Sequence, residues 1–191
     1  MRPVTAEGRR LPAVIVCGPP ASGKSTVGRA LAARLGAALL DQDVLTSPLT
    51  AVLSTLLRDD DLDSAALAGA TRSARYETII AAAEDNLRTG RPVVMVAPFS
   101  VERRDLATWM RLTGRLGDAG ATATLVWLRI PDGELLGRMR ARAAPRDRGK
   151  LVDGAAYLAR TDLVPPVVPH VPIDATTSLT AQCAAVIAAI S

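Results

Sequence analysis

Gly18-Pro19-Pro20-Ala21-Ser22-Gly23-Lys24-Ser25 is the stretch on which the reading of this chain turns. It fits the pattern G-x-x-x-x-G-K-[ST]. Each fixed position has a physical reason. Glycine at 18 and 23 permits backbone angles that a side chain would forbid. The loop then turns its N–H groups inward and forms a concave anion site. A helix starting near Lys24 points the positive end of its dipole at the same place. Gly18, Ala21, Ser22, Gly23 and Thr26 are therefore expected to wrap the phosphates of ATP. Lys24 is expected to reach the β- and γ-phosphates, and Ser25 to hold Mg²⁺ by its hydroxyl.

The flanks support this reading. Ala13 to Cys17 is wholly apolar and bounded by Pro12 and Gly18, which suits a buried parallel strand. Val27, Ala30, Leu31 and Leu35 then recur at helical spacing until Gly36. Further short apolar runs lie at Ala37–Leu40, Pro92–Val96, Ala123–Ile130 and Val171–Ile173. Between them come helical patterns. Residues 44–57 read as a short helix broken by Pro48, and Asp59–Asp63 as a solvated loop. A long helix, with Arg72 and Arg75 at its start, carries Tyr76, Ile79, Ile80, Ala83 and Leu87 on one face. Others are marked by Leu106, Trp109, Met110 and Thr113, by Leu135, Leu136 and Met139, by Ala155–Arg160, and by Leu179, Cys183, Val186, Ile187 and Ile190. Alternating strands and helices predict a parallel sheet covered on both faces. Residues 1–12 read as a flexible tail and 13–191 as a single domain.

Composition narrows the function. The chain has 191 residues, 49% of them apolar, enough for one domain with its own core. Aromatics are only 3%, so no base-stacking surface is available and nucleic acid is not the expected partner. Net charge is +4, yet the basic residues gather locally at Arg138–Lys150. Only Lys24 and Lys150 are lysines among 23 basic residues. Cys17 and Cys183 are too few for a disulfide framework. No segment has the length of a membrane span or a signal peptide, so a cytoplasmic, soluble protein is expected, monomeric or homodimeric.

Absences separate the subclasses. A switch GTPase needs Asp-x-x-Gly and Asn-Lys-x-Asp; no Asp has a Gly three residues on, and the single Asn, Asn86, precedes Leu. A motor ATPase needs an acid at the end of an apolar strand, but the third and fourth strands end in Val96-Ala97-Pro98 and Ile130-Pro131-Asp132. The region 44–70 is too short for the second-base insert of a nucleotide-monophosphate kinase. A small-molecule kinase remains. Asp41 and Asp43 close the second strand as Asp-x-Asp. One carboxylate, assigned to Asp41, can order the Mg²⁺ shell. The other, Asp43, can accept the proton of an attacking hydroxyl and meet the acceptor. The competing reading has either residue simply capping the next helix.

On the loop, Leu40-Asp41-Gln42-Asp43, Ala97-Pro98-Phe99-Ser100 with Arg103-Arg104-Asp105, and Arg138–Leu151, the chain resembles small P-loop kinases such as shikimate kinase and gluconate kinase, and the related zeta-toxin-like AAA kinases. The resemblance spans most of residues 13–190. It implies a three-layer α/β/α P-loop NTPase fold with a five-stranded parallel sheet, ATP with Mg²⁺, and phosphoryl transfer to a hydroxyl. Two departures matter. Ala-Pro-Phe follows the third strand where shikimate kinases have a glycine run, and the Arg-rich segment lacks the Gly-His-Phe of gluconate kinases. Neither substrate is expected.

Arg138, Arg140, Arg142, Arg146, Arg148 and Lys150 fall within 13 residues. Planar guanidinium groups suit the charge spread over a transferring phosphoryl group. A lid over about 138–152 would bring Arg138 to the nucleotide, and Arg142 and Arg146 to the transfer itself, when both substrates are bound. Arg75 and Ser100 are candidates for the acceptor pocket. The expected activity is ATP-dependent phosphorylation of a hydroxyl on a small polar metabolite or natural product. The rivals are a non-catalytic or regulatory nucleotide-binding module and a polynucleotide 5′-hydroxyl kinase.

Overall fold

The computed structural model describes residues 10–58, 65–143 and 151–191. Residues 1–9 of the expected tail, the acidic stretch 59–63 and the basic residues 144–150, Arg146 among them, lie outside the described residues.

Five strands form one parallel sheet: β1 (Leu11–Cys17), β2 (Ala38–Asp41), β3 (Val93–Val96), β4 (Ala121–Arg129) and β5 (Val171–Asp174). Their order is β2-β3-β1-β4-β5. β1 begins at Leu11, so Leu11 and Pro12 pair with Ala121 and Thr122 of β4 and are not part of a loose tail. Among the described residues seven helices connect and cover the strands: α1 (Lys24–Leu35), α2 (Gln42–Leu57), α3 (Ala65–Arg88), α4 (Leu106–Asp118), α5 (Asp132–Arg142), α6 (Gly154–Arg160) and α7 (Leu179–Ile190). None is long and apolar enough to cross a membrane.

β1 explains why the apolar runs lack alternation. Successive side chains point to opposite faces, and both faces are covered. Ile15 and Cys17 join Met95 and Trp127 in a core roofed by Tyr76, Ile79, Ala83 and Leu87 of α3 and by Trp109, Leu112 and Leu116 of α4. Val14 and Val16 join Val94, Val96, Val126 and Leu128 in a second core against Val27 and Leu31 of α1, Leu135 and Met139 of α5, and Cys183 and Val186 of α7. Both cysteines are free and buried.

α2 corrects one expectation. It is continuous through Pro48, not broken there. The proline forfeits the bond its N–H would have made to the Val44 carbonyl, but Val44 is on the solvent side. In the preceding turn the Thr46 hydroxyl donates to the Gln42 carbonyl at 2.7 Å, and the Ser47 hydroxyl donates to that of Asp43. α3 also starts earlier than expected, at Ala65, so Arg72 and Arg75 lie well inside it.

Candidate active site

Parallel register brings the carboxyl ends of three strands level. Val16 pairs with Val96, and Val96 with Asp41. The chain leaving β1 after Cys17 therefore emerges beside the chain leaving β3, with Asp41 one strand further out. Such a rim is where ligands settle in open α/β sheets.

The loop from Gly18 to Gly23 is tightly packed at its start. A Cβ on Gly18, at φ +154°, would lie 2.8 Å from Ser22 Oγ and 3.0 Å from the Leu128 carbonyl oxygen. Gly23 ends the loop at φ 96°, a left-handed conformation, and leaves α1 without a side-chain cap. The first N–H groups of α1 thus have no side-chain acceptor in a place that suits a phosphate oxygen. Ala21 also has positive φ, 57°. Ser22 is buried, while Ser25 is half-buried and Thr26 exposed at the first turn of α1. A close approach fixes that turn: a Cβ on Gly28 would meet Val96 Cγ2 at 2.4 Å, so only glycine lets α1 lie this near β3.

Lys24 folds back over the loop. Its ammonium donates to the carbonyls of Gly18 at 2.9 Å and Pro19 at 2.7 Å. Burial pulls its pKa from 10.5 down to about 8; Cys17, Asp43 and Asp41 act the other way, and Arg142 adds to the lowering. Asp41, Asp43 and Arg142 are therefore within electrostatic reach of Lys24.

Asp41 makes the cap that the competing reading expected. Its Oδ1 accepts the Asp43 N–H at 3.1 Å and caps α2. Its Oδ2 is buried and has no hydrogen-bond partner among the described residues. An orphaned carboxylate oxygen beside a phosphate loop fits the hydration shell of a hard cation. Asp43, in the first turn of α2, is more exposed. Its Oδ1 meets Arg75 Nη2 at 3.0 Å, and Arg75 Nε also donates to Thr46 Oγ1 at 2.9 Å.

Ser100 follows β3 and accepts from Arg72 Nη2 at 3.0 Å. Beneath it, Phe99 is held at φ 44° while its N–H donates to the Tyr76 hydroxyl at 2.9 Å. The two rings meet edge to face, and Arg72 lies 5.0 Å above the Tyr76 ring. On the other side of the loop, Arg138 of α5 donates to the carbonyls of Ser22 at 3.4 Å and Ala175 at 2.7 Å. Arg142 sits exposed at the end of α5.

Thr46, Tyr76 and Arg103 organise this rim, although the sequence marked none of them as site residues. Arg103 is buried, stacks 4.6 Å above the Trp127 ring, donates to the Val164 carbonyl at 2.6 Å and pairs with Asp162. Arg104 pairs with the same Asp162. His170 sits away from the rim, its Nδ1 2.8 Å from the Val168 carbonyl, beside an open cavity of ≈ 690 Å³ between Trp109 and the start of β4.

A family model described as an AAA domain matches residues 14–165 of the chain. The chain belongs to this AAA domain family. Its matched region contains the phosphate loop, both aspartates and α5. Over 42 residues this AAA domain is 50% identical to the shikimate kinase of Corynebacterium diphtheriae; the match covers 22% of the chain and 24% of that protein's length. A gluconokinase from Sinorhizobium meliloti superposes on it with a TM-score of 0.57 at 20% identity, over 95% of this chain and 93% of that one. The Mycobacterium tuberculosis APS kinase, solved in complex with AMPPNP and APS, does so with a TM-score of 0.58 at 22% identity, over 94% and 97%. At such identities the likeness shows a common fold.

Proposed function

We propose that this AAA domain protein is a kinase that transfers the γ-phosphoryl group of ATP to a hydroxyl of a small polar metabolite or natural product. The observation that carries the reading is that Asp41, at the end of β2, and Asp43, at the start of α2, lie on the same rim as the phosphate loop, two strands over from β1, with Lys24 within their field. A site that only stored nucleotide would not need a second, exposed carboxylate there.

The roles follow from the chemistry of each group. The loop from Gly18 through Thr26 binds the phosphates by its N–H groups, with Lys24 as the point charge. Ser25 and Asp41 would hold Mg²⁺ with its water, and the ion would neutralise charge on the β- and γ-oxygens. The acceptor oxygen attacks the γ-phosphorus as the bond to the β-bridging oxygen breaks and ADP leaves. The acceptor's proton passes to Asp43. Arg138 steadies the nucleotide side, and Arg142 and Arg146 meet the charge of the transferring group. Arg75 and Ser100 border the acceptor pocket; Arg75 also orients Asp43.

An ADP-release screen over sugars, sugar acids, nucleosides and aminoglycoside- or peptide-type antibiotics tests the proposal, with Lys24→Ala as the control. Acceptor-dependent ADP release in the wild type and not in the control is the expected result. Tight nucleotide binding with no acceptor above control would leave a regulatory nucleotide-binding module instead.

A further inference from the structure

α2 is built with its polarity reversed. Its buried stripe is Gln42, Thr46, Thr50 and Ser54, set four residues apart and facing α3. Its solvent side is apolar: Leu45 is 41% exposed, Leu49 70%, Val52 57%, Leu53 41% and Leu56 72%. From Val44 to Leu57 the helix carries no charged residue. A surface helix of a monomer normally shows the opposite arrangement, charges outward and apolar groups inward.

Spacing within the apolar stripe is informative. Leu45, Leu49, Val52 and Leu56 follow one another at intervals of four, three and four residues. That is the a/d seam of helices that pack side by side with interlocking knobs. Asp43 lies roughly 140° around the helix from the middle of this seam, taking about 100° per residue. The seam therefore looks away from the rim, and the acceptor need not cover it.

We infer that α2 is half of an isologous interface and that its occupant is α2 of a second copy of this chain. Area supports a second copy. Applying the exposed fractions to ordinary Leu and Val surfaces leaves roughly 500 Å² on the four seam residues together with Leu53, the size of the largest apolar patch on a typical monomer. Two copies bury on the order of 1,000 Å² before flanking residues are counted, the threshold of a specific interface. A self-complementary stripe is also what twofold symmetry requires. A lipid surface is disfavoured, because membrane-lying helices carry Lys and Arg along the polar face and none lies between Val44 and Leu57. The inference does not depend on the kinase reading.

Sedimentation equilibrium of the full chain over about 1–100 μM tests it, a range matched to an interface of modest area. The wild type is expected to approach twice the 20.0 kDa of one chain at the upper end. Leu49→Glu and Leu56→Glu should each sediment at 20.0 kDa throughout, with unchanged circular dichroism. Leu49→Gln serves if a glutamate variant fails to fold. Leu106→Glu, at an exposed apolar position of α4 (56% exposed), should still dimerise. A wild type monomeric at every concentration overturns the inference. So does a dimer that survives the seam substitutions, or a monomer that instead binds vesicles of neutral or anionic phospholipid through the seam.

Discussion

Asp43 and Arg75 are joined across α2 and α3, Oδ1 to Nη2 at 3.0 Å, with the same guanidinium also bonded to Thr46. The pair ties the proposed base to the helix that walls the proposed acceptor pocket. Arg75→Ala should cost little stability, less than about 2 kcal/mol, since a half-exposed ion pair contributes at most about 1 and the Thr46 bond about as much. Acceptor-dependent ADP release should nonetheless fall by about 10- to 100-fold, the worth of a charge-assisted contact. Affinity for a non-hydrolysable ATP analogue should stay within about twofold, because the guanidinium of Arg75 is turned to Thr46 and Asp43. Steady-state kinetics beside analogue titration reads the split.

Lys24 should make nucleotide binding pH-dependent. Its pKa in the folded chain is about 8 instead of 10.5 because burial penalises the ammonium. Between those values the unfolded chain holds the proton and the folded chain does not. Lys24 therefore adds stability as pH rises through that window, and its cost is fully present below about 8. Nucleotide binding has the opposite sign, since phosphates favour the charged form. Analogue affinity should weaken above pH 8, and binding at about pH 9 should take up close to one proton. Calorimetry in buffers of different ionisation enthalpy measures that uptake. Lys24→Met should abolish it; an uptake that persists would assign the proton to another group.

Asp41 separates a cap from a charge. Asn caps helices about as well as Asp, so Asp41→Asn should keep the melting temperature within about 4 °C, or about 1 kcal/mol at this chain length. The change removes the charge next to the orphaned Oδ2. The Mg²⁺ concentration for half-maximal ADP release should rise about 10-fold or more, as when groups around a metal shell are altered. An unchanged Mg²⁺ requirement would leave Asp41 as a cap alone.

Two glycines should respond with opposite signs. Gly28→Ala forces a methyl group to within 2.4 Å of Val96 Cγ2. It should destabilise by about 1–3 kcal/mol, as overpacked cores do. Gly114→Ala, in the middle of α4 with nothing within 4 Å of the added Cβ, should stabilise by about 0.5–1 kcal/mol through the unfolded chain's lost freedom. Thermal unfolding of both variants checks the pair.

The strands were legible because both sheet faces are buried, which leaves five short apolar runs between helical patterns. The phosphate loop was legible because its backbone geometry demands particular residues at particular spacing. Two features were not. Pro48 reads as a helix breaker, yet α2 continues, because the carbonyl it deprives of a bond belongs to Val44, an exposed residue. The sequence marks 44–57 as an apolar helix without saying which side is buried; the apolar residues face outward, since the Thr and Ser stripe packs on α3. Periodicity locates a stripe without saying which side of it is wet. The Asp43–Arg75 contact joins residues 32 positions apart, and only the fold reveals it.

β2 lies at the margin of the sheet, and among the described residues its strand pairing is with β3 alone. One unbroken stretch, from Ala38 of β2 to Arg88 of α3, therefore holds Asp41, Asp43 and Arg75 together. The ladders joining β1 to β3 and to β4 lie outside it. Such a stretch behaves as a cassette. Exchanging it with the matching stretch of another member of the family would replace the residues proposed to meet the acceptor, at the cost of one strand pairing and of the α3 face that roofs the core.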